Sequence, residues 1–160
     1  MMQATLRPRG SRVRTDQVEL RAATSTDVPV LATMNRQLIR EEGSRNPMTP
    51  AELAARMREF LRTGWSADLI MRGPDVVGYL LYQVRRDEYV PARTEVYVRQ
   101  FFVQPEYRRR GIGSSAFEKA AQTRFPAGAT LALEALQTNP EAQRFWESLG
   151  FRPYCVTYRR

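Results

Sequence analysis

The sequence predicts one α/β domain built on a mixed sheet, and three observations carry that expectation. Short β-branched runs and helix-spaced apolar stretches follow one another in the order β-α-α-β-β-β-α-β-α-β, which suits one sheet covered by helices. The 160 residues are enough for one such domain, and no internal repeat or low-complexity tract divides residues 17–160. A lone cysteine, Cys155, rules out an internal disulfide framework, so the core must be hydrophobic.

Taken in order, "VELRAA" (18–23) alternates as a strand, and Thr24 to Asp27 supply cap chemistry for a helix running to about Glu42 and stopped by Gly43. "TPAE" (49–52) is a capping box with Pro50 at the first helical position, and Leu53, Met57, Phe60 and Leu61 follow at helical spacing up to Gly64. "WSADLIM" and "VVGYLLYQV" flank Gly73-Pro74-Asp75, which predicts a hairpin. "TEVYVRQFFV" (94–103) is the next strand. Ala116, Phe117, Ala120 and Ala121 mark a third helix, and "ATLALEAL" (129–136) a fifth strand. Asn139 and Pro140 begin a fourth helix, Gly150 and Phe151 close it in a Schellman ending, and "FRPYCVTYRR" reads as a last strand.

Composition narrows the chemistry. Histidine is absent, which removes the commonest general base and the commonest zinc ligand, so no metal is expected. Catalysis must rest on carboxylates, tyrosines, the thiol or the backbone. No apolar run approaches the roughly 18 residues of a membrane span, and the single thiol suits a reducing cytoplasm. The formal charge is +8, and residues 1–16 carry three of those charges, four arginines against one aspartate, without apolar periodicity. That segment is expected to be a disordered basic tail, with the domain occupying residues 17–160.

The stretch "VQPEYRRRGIGSSAF" (103–117) joins a strand to a helix. Glycines there let backbone approach a ligand closely, and the free N–H groups of the first helical turn, aided by the helix dipole, attract an anion such as pyrophosphate. The run is neither a Walker loop, since no lysine follows the glycines, nor G-x-G-x-x-G.

Arg108-Arg109-Arg110-Gly111-Ile112-Gly113 resembles the [Q/R]-x-x-G-x-[G/A] signature of the GNAT superfamily of N-acetyltransferases, and "NPEAQRFWESLGF" resembles that family's later helix. "VVGYLLY" is similar to its third strand, so the resemblance covers roughly residues 18–158. It implies a mostly antiparallel central sheet of six or seven strands flanked by four helices, and acetyl transfer from acetyl-CoA to an amine. It also implies that Arg108, Arg109, Arg110, Gly111, Ile112, Gly113 and Ser114 surround the CoA pyrophosphate. Phe102 and Val103 would pair with the pantetheine arm like an added strand, and Asn139 would meet its reacting end. Asn139 is equally good as a helix cap.

Family members that use a glutamate base on the fifth strand and a tyrosine acid twelve positions later have Glu134 and Trp146 as counterparts here. The base is kept and the acid is lost. Trp146 would then pack against pantetheine or the core, while Tyr154 or Tyr158 could bring a hydroxyl from elsewhere; a CoA thiolate, with a thiol pKa of about 8.5, also leaves tolerably unaided. Where relatives that acetylate polyamines carry an acidic pair, this chain has Arg99-Gln100, which disfavours a polycation and favours an amine that also bears an anion. Many relatives have two strands after the fourth helix and this chain has room for one, so the sheet is one strand shorter or a homodimer partner covers its edge. The rival readings are a catalytically silent acetyl-CoA-binding domain, motivated by Trp146, and, more weakly, a basic nucleic-acid-binding module.

Overall fold

A computed structural model describes residues 17–160; the expected basic tail, 1–16, lies outside them. The elements are β1 (Val18–Ala22), α1 (Val28–Glu41), α2 (Pro50–Arg62), β2 (Ser66–Arg72), β3 (Asp75–Arg86), β4 (Thr94–Val103), α3 (Ile112–Thr123), β5 (Thr130–Leu133) and α4 (Pro140–Ser148). Short 3-10 turns, Ser25–Asp27 and Pro105–Tyr107, precede α1 and follow β4.

Local chemistry accounts for the boundaries. At α2 both capping-box bonds are present, the Thr49 amide donating to Glu52 Oε2 at 2.7 Å and the Glu52 amide to Thr49 Oγ1 at 3.3 Å; such caps contribute about 1 kcal/mol. Asn139 caps α4 by accepting from the Ala142 amide at 3.0 Å. The other end of α4 is a Schellman motif, with the Phe151 amide on the Trp146 carbonyl and the Gly150 amide on that of Glu147.

The sheet runs in the order β1-β2-β3-β4-β5, antiparallel except for the parallel β4–β5 pair. Helices α1 and α2 cover one face, where Leu31, Met34 and Met57 meet Leu69, Tyr79, Leu81 and Phe102. The other face belongs to α3 and α4, with Phe117, Ala120 and Trp146 against Leu80, Val96 and Val98. Gly78 on β3 lies so close to β4 that a Cβ would meet the Phe102 carbonyl oxygen at 2.2 Å, so only glycine permits this pairing.

The expectation of six or seven strands is corrected to five among the described residues. Residues 151–160 form no strand. Phe151 turns into the aromatic cluster, its ring 5.4 Å from Trp146 and 5.7 Å from Phe117. Beyond it the alternating residues face outward, with Tyr154 97 % and Tyr158 89 % exposed. Alternation makes a strand only where an edge accepts it, and β5 is four residues long where eight were expected.

Candidate active site

Strands β4 and β5 part company, and the site forms at their divergence. Their pairing runs from Glu95↔Thr130 to Val98↔Leu133 and stops, while β4 continues through residues 99–103. At the same point β4 carries a bulge: Leu81 pairs with Gln100 and Tyr82 with Val98, which leaves Arg99 as the extra residue. Arg99 faces the α2 side, over the Phe60 and Trp65 rings. A small cavity of about 80 Å³ occupies the opening, and among its walls are Glu42, Arg99, Gln100, Glu134, Asn139 and Trp146.

Beside the opening lies the glycine loop. Arg109 and Gly111 have φ of 59° and 75°, and the chain enters α3 at Ile112. No acceptor among the described residues takes the amides of residues 109–114. Six backbone donors are thus concentrated at the positive end of a twelve-residue helix, an arrangement suited to phosphate. Gly113 has a second reason to be glycine, since a Cβ there would lie 3.2 Å from the Phe145 ring.

The three arginines of the loop differ in what they touch. Arg108 donates through Nε to the Val103 carbonyl at 2.7 Å, pairs with Glu41 and lies over the Phe102 ring. Its side chain is a staple between α1, β4 and the loop. Arg109 makes an exposed pair with Glu141 at 3.2 Å, and Arg110 is exposed with no ion pair among the described residues. Phe102 and Val103 are buried, so their side chains belong to the core and only their backbone can serve a ligand.

The expected catalytic and substrate residues converge in part. Glu134, Arg99, Gln100, Asn139 and Trp146 line one cavity although they come from β4, α4 and the end of β5. Trp146 is 8 % exposed and sits edge-on to Phe101, Phe117, Phe145 and Phe151, so it fills core while its border reaches the cavity. Gln100 accepts from the fully buried Tyr79 hydroxyl at 2.9 Å. Burial pushes that hydroxyl far above the ordinary tyrosine range, which keeps it a donor. Tyr154 stands on the exposed C-terminal segment and lines no described cavity.

Three residues not among the expected site residues stand in or around the cavity. Glu42, just past α1, lines the cavity, and burial holds its carboxyl above the usual carboxylate range. Tyr97 on β4 is raised above the ordinary tyrosine range, first by burial and then by the negative charge of Glu134. Arg56 on α2 is lowered by burial first and by Arg99 second. Alternation along β4 would have placed Tyr97 and Arg99 on one face; Glu42 and Arg56 depend on how α1 and α2 dock.

A larger cavity, about 510 Å³, opens near the far end of α3 and is lined by Arg58, Trp65, Asp68, Tyr82 and Arg124 among others. Its one buried charge is paired within the chain: Asp68 takes Arg124 Nε at 3.0 Å and the Tyr82 hydroxyl at 3.2 Å. The smaller cavity lies beside the open strands and the unpartnered amides, which makes it the candidate site. Among the described residues no group of three His, Cys, Asp or Glu is placed to hold a metal ion, and no helix is long and apolar enough to cross a membrane.

The sheet thus opens between two parallel strands, with a glycine-led helix start at the opening. The chain belongs to the acetyltransferase (GNAT) family, whose model matches residues 34–151. It is 35% identical over 80 residues to the thialysine N-epsilon-acetyltransferase of Bos taurus, a match covering 49% of this chain and 46% of that protein, so it spans about half the relative's length. Among solved structures it resembles a possible acetyltransferase from Clostridium difficile 630 (TM-score 0.73, 20% identity, 89% of this chain and 95% of that one). An aminoglycoside N-acetyltransferase solved in complex with CoA is similar over 97% of this chain and 99% of its own, with TM-score 0.71 and 20% identity.

Proposed function

We propose that the protein moves the acetyl group of acetyl-CoA directly to a primary amine. The observation that carries this reading is the run of unpartnered amides at residues 109–114 beside a cavity walled by two carboxylates, Glu42 and Glu134. The amides would hold the pyrophosphate, and the unpaired edge of β4 beyond Val98 would receive the pantetheine arm as an added strand. Two of the loop's three arginines are engaged within the chain, which supports backbone recognition over a basic surface for nucleic acid.

In the transfer, the amine nitrogen forms a C–N bond to the thioester carbonyl carbon as the C–S bond breaks. An alkyl ammonium with a pKa of about 10.4 must first lose a proton. Glu134 takes it, directly or through one water, while Glu42 supplies a second carboxylate to draw the ammonium in. Trp146 has no proton of useful acidity to give, so CoA departs as thiolate and is protonated by solvent.

The test is calorimetric titration with acetyl-CoA, followed by CoA release and product mass over a panel of amines. Glu134→Gln should lower turnover about 10²-fold with acetyl-CoA affinity unchanged, and should flatten the acid limb of the pH–rate profile. An unchanged profile would return Glu134 to a structural role. Tight cofactor binding with no turnover on any amine would instead make this a silent acetyl-CoA-binding domain.

A further inference from the structure

The acceptor side of the sheet carries a pair of cations that the transfer chemistry does not use. Arg56 on α2 and Arg99 on β4 hold their guanidinium carbons 5.3 and 5.5 Å from the centroid of one ring, that of Phe60, and Arg99 lies 5.6 Å from the Trp65 ring as well. Neither has a carboxylate partner among the described residues, although arginines nearby do: Arg62 takes Glu59 and Arg85 takes Glu95. The polar contact of Arg56 is with Met48 Sδ at 3.8 Å. Burial first, and the positive charge of Arg99 second, lower the Arg56 pKa. Aromatic rings hold such cations without neutralising them.

Arg99 also lines the cavity that Glu42 and Glu134 share, so the acceptor region is divided in charge. Carboxylates come from the end of α1 and the end of β5; the guanidinium in the wall is that of Arg99 on the β4 bulge, and Arg56 on α2 shares the Phe60 ring with it. A zwitterion matches both halves, whereas a dication would bring its second charge against two unscreened guanidiniums. Planar guanidiniums pair in bidentate fashion with carboxylate or phosphate, and those of Arg56 and Arg99 rest over the Phe60 and Trp65 rings.

We propose that the acceptor is a primary amine that also carries a carboxylate or phosphate, its anion bound by Arg99 and Arg56 and its ammonium directed to Glu42 and Glu134. This rests on the reading that the cavity takes an amine acceptor. The competing role is structural, with Arg99 serving only to clamp α2 onto β4.

The test uses matched probes on the full chain saturated with CoA: 6-aminohexanoate, its amide and 1,6-diaminohexane, and O-phosphoethanolamine beside ethanolamine. Binding is read by calorimetry and turnover by CoA release from acetyl-CoA. The anionic probe of at least one set should bind about tenfold or more tighter than its uncharged-tail counterpart, and which set does so separates carboxylate from phosphate. Arg56→Gln with Arg99→Gln should reduce that preference to about twofold or less while leaving acetyl-CoA affinity unchanged. Arg99→Gln alone, checked by thermal melting, serves if the double variant does not fold. A clamp would lower the melting temperature without altering the preference, and that result overturns the proposal, as does equal or better binding of the amide or diamine, or no binding of any probe. Discrimination in binding without turnover on any amine would sustain the proposal and remove the transfer reading. Turnover without discrimination would do the reverse.

Discussion

Gly111 offers a clean separation of backbone strain from ligand recognition. Its φ is 75°, and a Cβ built there would meet nothing within 4 Å. Gly111→Ala therefore costs conformation alone within the chain, about 1–2 kcal/mol for an L-residue held in the left-handed region. For a domain of this size that is a fall in melting temperature of about 2–4 °C per kcal/mol, or about 2–8 °C. Gly128 is a matched control, with φ of 74° and the same open space, and it lines no described cavity. Gly128→Ala should lower the melting temperature by a similar amount. The two should part on acetyl-CoA. In the glycine loop the new methyl group and any relaxation of φ disturb amides that donate to phosphate, and each charge-assisted hydrogen bond is worth about 1.5–3 kcal/mol. Calorimetry should show affinity for acetyl-CoA reduced about 10- to 100-fold in Gly111→Ala and unchanged in Gly128→Ala. Equal affinities in the two variants, with equal losses of stability, would show that Gly111 serves the turn and not the ligand, and the pyrophosphate assignment would fall.

Glu42→Gln should make the protein more stable near neutral pH, because burial raises the folded-state pKa and ionisation then works against the fold. The stability gap should be present above that raised pKa and close as pH falls below the ordinary carboxylate value of about 4.3, where both side chains are neutral; a gap independent of pH in thermal melts would refute the burial cause. For Trp146, replacement by tyrosine should retain the fold and leave turnover the same or higher, while Tyr154→Phe, at an exposed position that does not line the cavity, should change turnover by less than about twofold. A loss of about 10²-fold in Tyr154→Phe, measured at steady state, would instead identify the exposed segment as the source of the general acid.

How much of this was legible in the sequence depended on the range of the interaction involved. The capping box at Thr49, the Asn139 cap and the Gly150–Phe151 ending were readable because each is satisfied within a few residues, and all three form. The strand expected at 94–103 was found over those same residues. The last strand was not, since alternation in "RPYCVTYRR" says nothing about whether an edge is free to receive it. The fifth strand was overestimated for a related reason: β4 bulges at Arg99 and the pair separates at Leu133, a tertiary event with no local signature. The site divided along the same line. Glu134, Asn139, Trp146, Arg99 and Gln100 fell within recognisable motifs, whereas Glu42 and Arg56 arrive from helices the motifs do not cover.

Those helices also explain how an opening between strands can remain open in a domain of this size. The end of α1 is tied to both walls. Glu41 pairs with Arg108, whose Nε is bonded to the Val103 carbonyl, so α1, β4 and the glycine loop are joined at one guanidinium. The next residue, Glu42, accepts through its carbonyl from the Thr138 hydroxyl, one position before the Asn139 cap of α4. Arg109 then links the loop to Glu141 on α4 across the surface, a pair too exposed to add much. Two adjacent residues thus connect the strand that continues with the helix that follows the strand that stops. The Glu42 side chain, carried on that junction, is consequently placed in the cavity by contacts lying outside it. Displacing α1 would therefore shift the glycine loop, the α4 cap and the Glu42 carboxylate together.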